Sequence, residues 1–144
     1  MYDAVPNLER IELLCQALES DRYVQGSGAL RYNGKHCCLG VACDIADPKG
    51  WRRNLEGDTT HEWKFDTEVG YLSMRVVNWY GFNAVDDGTN WIGNPKLQTD
   101  TGTWVTMTQL NDTYGYSFAA IAKALRRTYL PRTIKTEEED VVKT

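Results

Sequence analysis

Ala29-Leu30-Arg31-Tyr32-Asn33-Gly34-Lys35-His36-Cys37-Cys38-Leu39-Gly40-Val41-Ala42-Cys43-Asp44-Ile45-Ala46-Asp47-Pro48 is the stretch from which the fold is read. Its Asn33-Gly34 pair is a strong hairpin signal, because both central positions of the tight turn need positive φ. Short strands over residues 29–32 and 35–37 therefore pair across it. Leu39, Val41, Ala42, Ile45 and Ala46 follow, and Asp47-Pro48 stops the run, so a short buried helix over 38–46 is fed directly by the hairpin. Gly40 within that helix costs about 1 kcal/mol relative to Ala. A cost of that size is tolerated where another backbone packs close.

Upstream, Leu8, Ile11, Leu14, Cys15 and Leu18 recur at spacings of three and four, which makes residues 7–20 an amphipathic helix with Asn7 as its N-cap. Downstream, residues 50–68 are polar and irregular with Trp51, Trp63 and Phe65 as anchors, and read as a long excursion or a small β element. Ser73 caps a helix running through Trp79, with Val76, Val77 and Trp79 inward and Gly81 at its C-terminal cap. Residues 86–94 are loop-like. Residues 97–99 and 103–106, joined by Asp100-Thr101-Gly102, form a second hairpin rich in Thr, Trp and Val. Thr108 to Asp112 opens a short turn or helix. Ser117 caps the last helix, residues 118–129, with Phe118, Ile121, Ala122, Leu125 and Tyr129 on one face and Pro131 ending it.

The expected fold is thus α+β: a single compact domain over 1–132, of about four helices with two short antiparallel hairpins, followed by a disordered acidic tail over 133–144. A chain of 144 residues buries roughly two thirds of its unfolded surface, enough to fold without metal or disulfide staples. No apolar run approaches the roughly 20 residues of a membrane helix. The first twelve residues lack the basic and apolar regions of a signal peptide, so a cytoplasmic location is expected. Four cysteines, two of them adjacent at Cys37 and Cys38, fit free thiols in a reducing compartment. A net charge of −4 argues against generic nucleic-acid binding, though it leaves room for a local basic patch.

Three segments carry a resemblance: Gln25-Gly26-x-Gly28-x-Leu30-Arg31; Cys37-Cys38-Leu39-Gly40-Val41-x-Cys43-Asp44; and Leu110-Asn111-Asp112-x-x-Gly115-x-Ser117-Phe118-x-x-Ile121-Ala122. Their order resembles an uncharacterised family of small proteins of tailed bacteriophages and bacteria. The similarity spans residues 8–125, with the middle, 48–104, outside its specific motifs. It implies a phage accessory gene product. By analogy, such products act as binders that inhibit host enzymes or sequester host signalling nucleotides, an anti-defence role.

The Gly26-Ser27-Gly28 segment leading to Arg31 could offer backbone N–H groups and a guanidinium to an anion. It lacks the pattern of a phosphate-binding loop, and the plainer reading is a tight turn. His36, Cys37, Cys38 and Cys43 do not have structural-zinc spacing, and no metal or cofactor is expected. Cys37 or Cys38 at a helix N-terminus, with His36 or His61 as base, would be an activated nucleophile, while the apolar neighbours argue for core. Asp44 with Asp47, and Asp86 with Asp87, read as solvated or capping carboxylates. Asn111 and Asp112 read as caps, with a polar ligand contact as the alternative. Trp79, Tyr80, Trp91 and Trp104 suit either core filling or a π-lined pocket.

The leading expectation is a non-enzymatic accessory protein that binds a small anionic or nucleotide-like ligand, or a host protein, with no membrane partner and with self-association open. Its ligand contacts are Gln25, Gly26, Gly28, Arg31, Trp79, Trp91, Trp104, Asn111 and Asp112, and no catalytic residue is assigned. The alternatives are a cysteine-dependent hydrolase or transferase and a protein–protein inhibitor of a host enzyme.

Overall fold

Asn7 opens the first helix, α1 (Leu8–Glu19), its side-chain oxygen accepting from Arg10 N at 3.0 Å. Ile11, Leu14, Cys15 and Leu18 are buried as the periodicity requires, while Leu8, counted in the same stripe, is half exposed at the helix start. The computed structural model describes residues 5–55, 61–82 and 93–130. Trp91, the Asp86-Asp87 pair, the stop at Pro131 and the tail over 133–144 lie outside the described residues.

Asn33 and Gly34 take φ of 52° and 79°, the left-handed pair that a two-residue hairpin turn demands. They join β1 (Arg31–Tyr32) to β2 (Lys35–His36), with Tyr32 directly opposite Lys35 and Arg31 opposite His36. The helix α2 (Cys38–Ala46) follows at once. Gly40 is required there by a neighbour: a Cβ at this position would stand 1.9 Å from the Leu30 carbonyl oxygen.

The polar stretch after α2 resolves into the β element that was one of its two readings. β3 (Trp51–Arg53) and β4 (Glu62–Phe65) extend the first hairpin into a four-stranded antiparallel sheet of order β2-β1-β4-β3. Successive side chains on a strand face opposite sides. Trp51 and Phe65, directly opposed, therefore enter the core, whereas Tyr32, Lys35, Arg52 and Lys64 share the outer face.

Ser73 occupies the N-cap of α3 (Met74–Tyr80), through its backbone carbonyl rather than its hydroxyl, and Gly81 closes the helix at φ 76°. Trp79 is half-buried; the fully inward aromatic is Tyr80, whose hydroxyl donates to the Ala42 carbonyl at 2.7 Å. The second hairpin pairs β5 (Lys96–Gln98) with β6 (Trp104–Thr106). Met107–Asp112, expected as a turn or helix, is a helix, α4, started by a reciprocal Thr106–Gln109 capping box. Ser117 caps the last helix, α5 (Phe118–Tyr129), accepting from Ala120 N at 3.2 Å.

The described residues thus form five helices and two antiparallel sheets in one α+β domain. α1 packs against α2, α3 and α5, and α4 bridges α2 to α5 and the second hairpin. A single apolar cluster running from Ile11 to Leu130 joins these elements. Each fully buried Leu or Ile in it stabilises the fold by roughly 1.5–3 kcal/mol.

Candidate functional site

Gln25 is held beside the first hairpin by a short parallel bridge, in which Gly26 N donates to His36 O at 2.8 Å and His36 N to Val24 O at 2.9 Å. Its side chain crosses to the C-terminal third of the chain. The amide nitrogen donates to Asn111 Oδ1 at 2.9 Å and to the Tyr116 carbonyl at 2.8 Å, and Oε1 accepts from Phe118 N at 3.2 Å. Gln25 thereby satisfies the first free N–H of α5.

Asn111, buried at 6% exposure, completes the junction. Its oxygen also accepts from Cys38 N at 3.2 Å, and its amide nitrogen donates to the Gly26 carbonyl at 2.8 Å and to Asp112 Oδ1 at 2.7 Å. The N-cap of α2 is Cys37, whose side chain makes no capping bond, so Asn111 supplies that cap from another helix. Asp112 Oδ2 in turn accepts from Gly28 N at 3.2 Å. The expectation that these two residues cap helices is met in kind by Asn111, for a helix distant in sequence.

This junction forms one wall of an open cleft of about 550 Å³. Gln25, Gly26, Ser27 and Asn111 contribute to it from one side, Tyr32 and Lys35 from the outer face of the sheet, and Gly115 and Tyr116 from the loop before α5. The lining is mainly polar, and among the described residues Lys35 is its one cation. A cation beside two phenol rings and several amide groups suits a small anionic or hydrogen-bonding ligand.

Of the residues singled out in the sequence, Gln25, Gly26 and Asn111 line the cleft, and Gly28 and Asp112 are tied to its wall. Arg31, Trp79 and Trp104 do not line it. Arg31 alternates with Tyr32 and faces the other side of the sheet, its guanidinium carbon 4.1 Å from the Trp63 ring centre and 5.4 Å from that of Trp51. Trp79 is covered by Arg10, whose guanidinium lies 4.3 Å from the ring and donates to the Trp79 carbonyl at 2.9 Å. Trp104 is half exposed on β6. Trp91 lies outside the described residues.

Tyr32, Lys35 and Tyr116 were missed. For the first two a signal existed: residues flanking a two-residue hairpin turn are cross-strand partners and share a face, so Asn33-Gly34 already places Tyr32 beside Lys35. Tyr116 carries no such signal, because its position follows from how α4 and α5 dock.

The four thiols are free and buried. Cys37 sits where a helix N-terminus favours thiolate, and the N–H groups of Leu39 and Gly40 do act in that direction. Burial outweighs them and pushes its pKa up to about 11. Burial likewise raises Cys15 to about 12 and drives Cys38 and Cys43 well above the ordinary thiol value. The His36 ring packs edge-on to Tyr23 and Trp51, and that of His61 against Tyr32. Among the described residues no three His, Cys, Asp or Glu converge to hold a metal ion, and no helix is long and apolar enough to cross a membrane.

No curated protein and no solved structure matches the chain. One family model, described as Domain of unknown function (DUF8296), matches residues 9–129, a span that runs from the second residue of α1 to the end of α5 and takes in the wall of the cleft. The chain belongs to this DUF8296 family.

Proposed function

We propose that this chain is a phage accessory protein that works by binding rather than catalysis: it holds a small anionic or nucleotide-like ligand in the cleft between the glycine segment and the α4–α5 loop, and so inhibits a host process of the defence type. The observation that carries this reading is the cleft itself, open, polar and walled by a fixed hydrogen-bond network, with Lys35 set between Tyr32 and Gly26. The anion contact passes from Arg31 to Lys35. Asp112 already occupies Gly28 N, so the anion belongs at the Lys35 end, away from that carboxylate.

Burial of all four thiols, with their pKa values raised, weighs against the cysteine-dependent hydrolase or transferase. A second reading, a protein–protein inhibitor, draws support from Trp104 and Tyr114, which are 51% and 58% exposed. The two are separated by titration calorimetry with a panel of linear and cyclic nucleotides. Heat of binding that falls roughly 10- to 100-fold in affinity in Lys35→Ala is expected, the loss of one charge-assisted hydrogen bond. Silence across the panel from the folded wild-type protein would overturn the ligand-binding reading.

A further inference from the structure

Tyr116 walls a second recess as well as the cleft. This neighbour, of about 290 Å³, lies between the β5–β6 hairpin and the α4–α5 loop. Its chemistry differs. Val105, Leu110, Tyr114 and Tyr116 make it largely apolar and aromatic, Thr99, Thr101 and Thr103 set a row of hydroxyls along it, spaced 3.0 Å and 3.3 Å oxygen to oxygen, and Asp100 adds a carboxylate, which keeps a phosphate at the Lys35 end and leaves this recess to the base. The cleft on the other part of Tyr116 is polar and carries Lys35.

Resting on the ligand-binding reading above, we infer that the ligand is a nucleoside phosphate lodged across both recesses, with its phosphate at Lys35 and its base in the Thr-lined recess against Tyr114 and Tyr116. A planar ring with donors and acceptors on its edge matches that recess on both counts. The tyrosine faces supply stacking. Hydroxyls that both donate and accept meet a base edge without a fixed polarity. A purely anionic ligand would leave the apolar recess empty, and an apolar one would leave Lys35 unused. Together the volumes fall in the range of small-molecule sites.

The test is calorimetry with five probes, namely inorganic pyrophosphate, guanosine, guanosine monophosphate, adenosine and adenosine monophosphate, on the wild type, Lys35→Ala and Tyr114→Ala. Tyr114 is 58% exposed, so its truncation leaves the fold intact, and unchanged circular dichroism and melting confirm that. The expected pattern is split. Tyr114→Ala weakens nucleotide and nucleoside by about 5- to 100-fold and leaves pyrophosphate unchanged; Lys35→Ala weakens nucleotide and pyrophosphate and leaves the nucleoside unchanged. If nucleotides and pyrophosphate bind through Lys35 with equal affinity in wild type and Tyr114→Ala, the base recess is refuted while the anion cleft stands. If no probe binds, both fall.

Discussion

Asn111 makes four hydrogen bonds from one buried amide, to Gln25, Cys38, Gly26 and Asp112, and so ties the Gln25–Gly26 segment and the start of α2, each more than seventy residues away in sequence, to one point. Truncating it leaves the first N–H of α2, the Gly26 carbonyl and half of the Gln25 amide without partners. Each unsatisfied buried polar group costs about 1–3 kcal/mol, so Asn111→Ala is expected to lower unfolding free energy by roughly 2–4 kcal/mol. Urea denaturation checks this; a loss under 1 kcal/mol would mean the junction is not what holds the cleft wall. Substituting Asp cannot restore the bonds, because a carboxylate has nothing to donate to the Gly26 carbonyl. At this scale the sequence motifs were legible as important positions, but their roles were not. Gln25 and Asn111 read as ligand contacts and caps, and they cap α5 and α2 across the fold, a pairing set by tertiary docking and not by local spacing.

Among elements, α1 and α5 form the main helix pair, and Arg126 joins them by ion pairs to Glu12, at 2.8 Å, and to Glu19. The guanidinium hydrogen-bonded to Glu12 holds that carboxyl below its ordinary 4.5. A carboxylate with a depressed pKa stabilises the fold above the unfolded value and loses that contribution as pH falls through the folded one. Arg126→Ala is therefore expected to destabilise by about 0.5–1 kcal/mol at neutral pH, the pairs being partly exposed, with the difference from wild type shrinking below about pH 4. Thermal melts of both proteins at pH 7 and pH 3 read this out, and an undiminished gap at pH 3 would assign the effect to packing. Hairpins and helices with caps were the legible elements, since Asn33-Gly34, Asn7 and Ser117 act locally. The strands β3 and β4 carry no alternation strong enough to name them, and pair because the first hairpin offers them an edge.

Over the whole molecule the sequence foretold one α+β domain, but Arg31, Trp79 and Trp104, expected among the ligand contacts, do not line the cleft. Strand alternation turns Arg31 toward Trp63 and Trp51, and Trp79 is engaged by Arg10. The glycine-segment wall was read from the sequence, and on the sheet side the Asn33-Gly34 turn carried an unused signal for Tyr32 and Lys35; the loop side required the docking of α4 and α5. All four thiols are buried within the core. Under iodoacetamide at neutral pH all four cysteines are expected to alkylate only as fast as the protein unfolds globally, with the rate following denaturant concentration. A single fast-reacting thiol in the folded protein would show instead that Cys37 opens locally and would revive it as a nucleophile.

What decides whether the anion belongs to Lys35 is a nitrogen–proton NMR titration of the intact chain with inorganic pyrophosphate. The amides of Gly26, Ser27, Lys35, Gly115 and Tyr116 should shift together and saturate, while the indole N–H signals of Trp79 and Trp104 stay in place. Saturable shifts at those indoles, with residues 25–35 unmoved, would show that the ligand site lies elsewhere on the molecule.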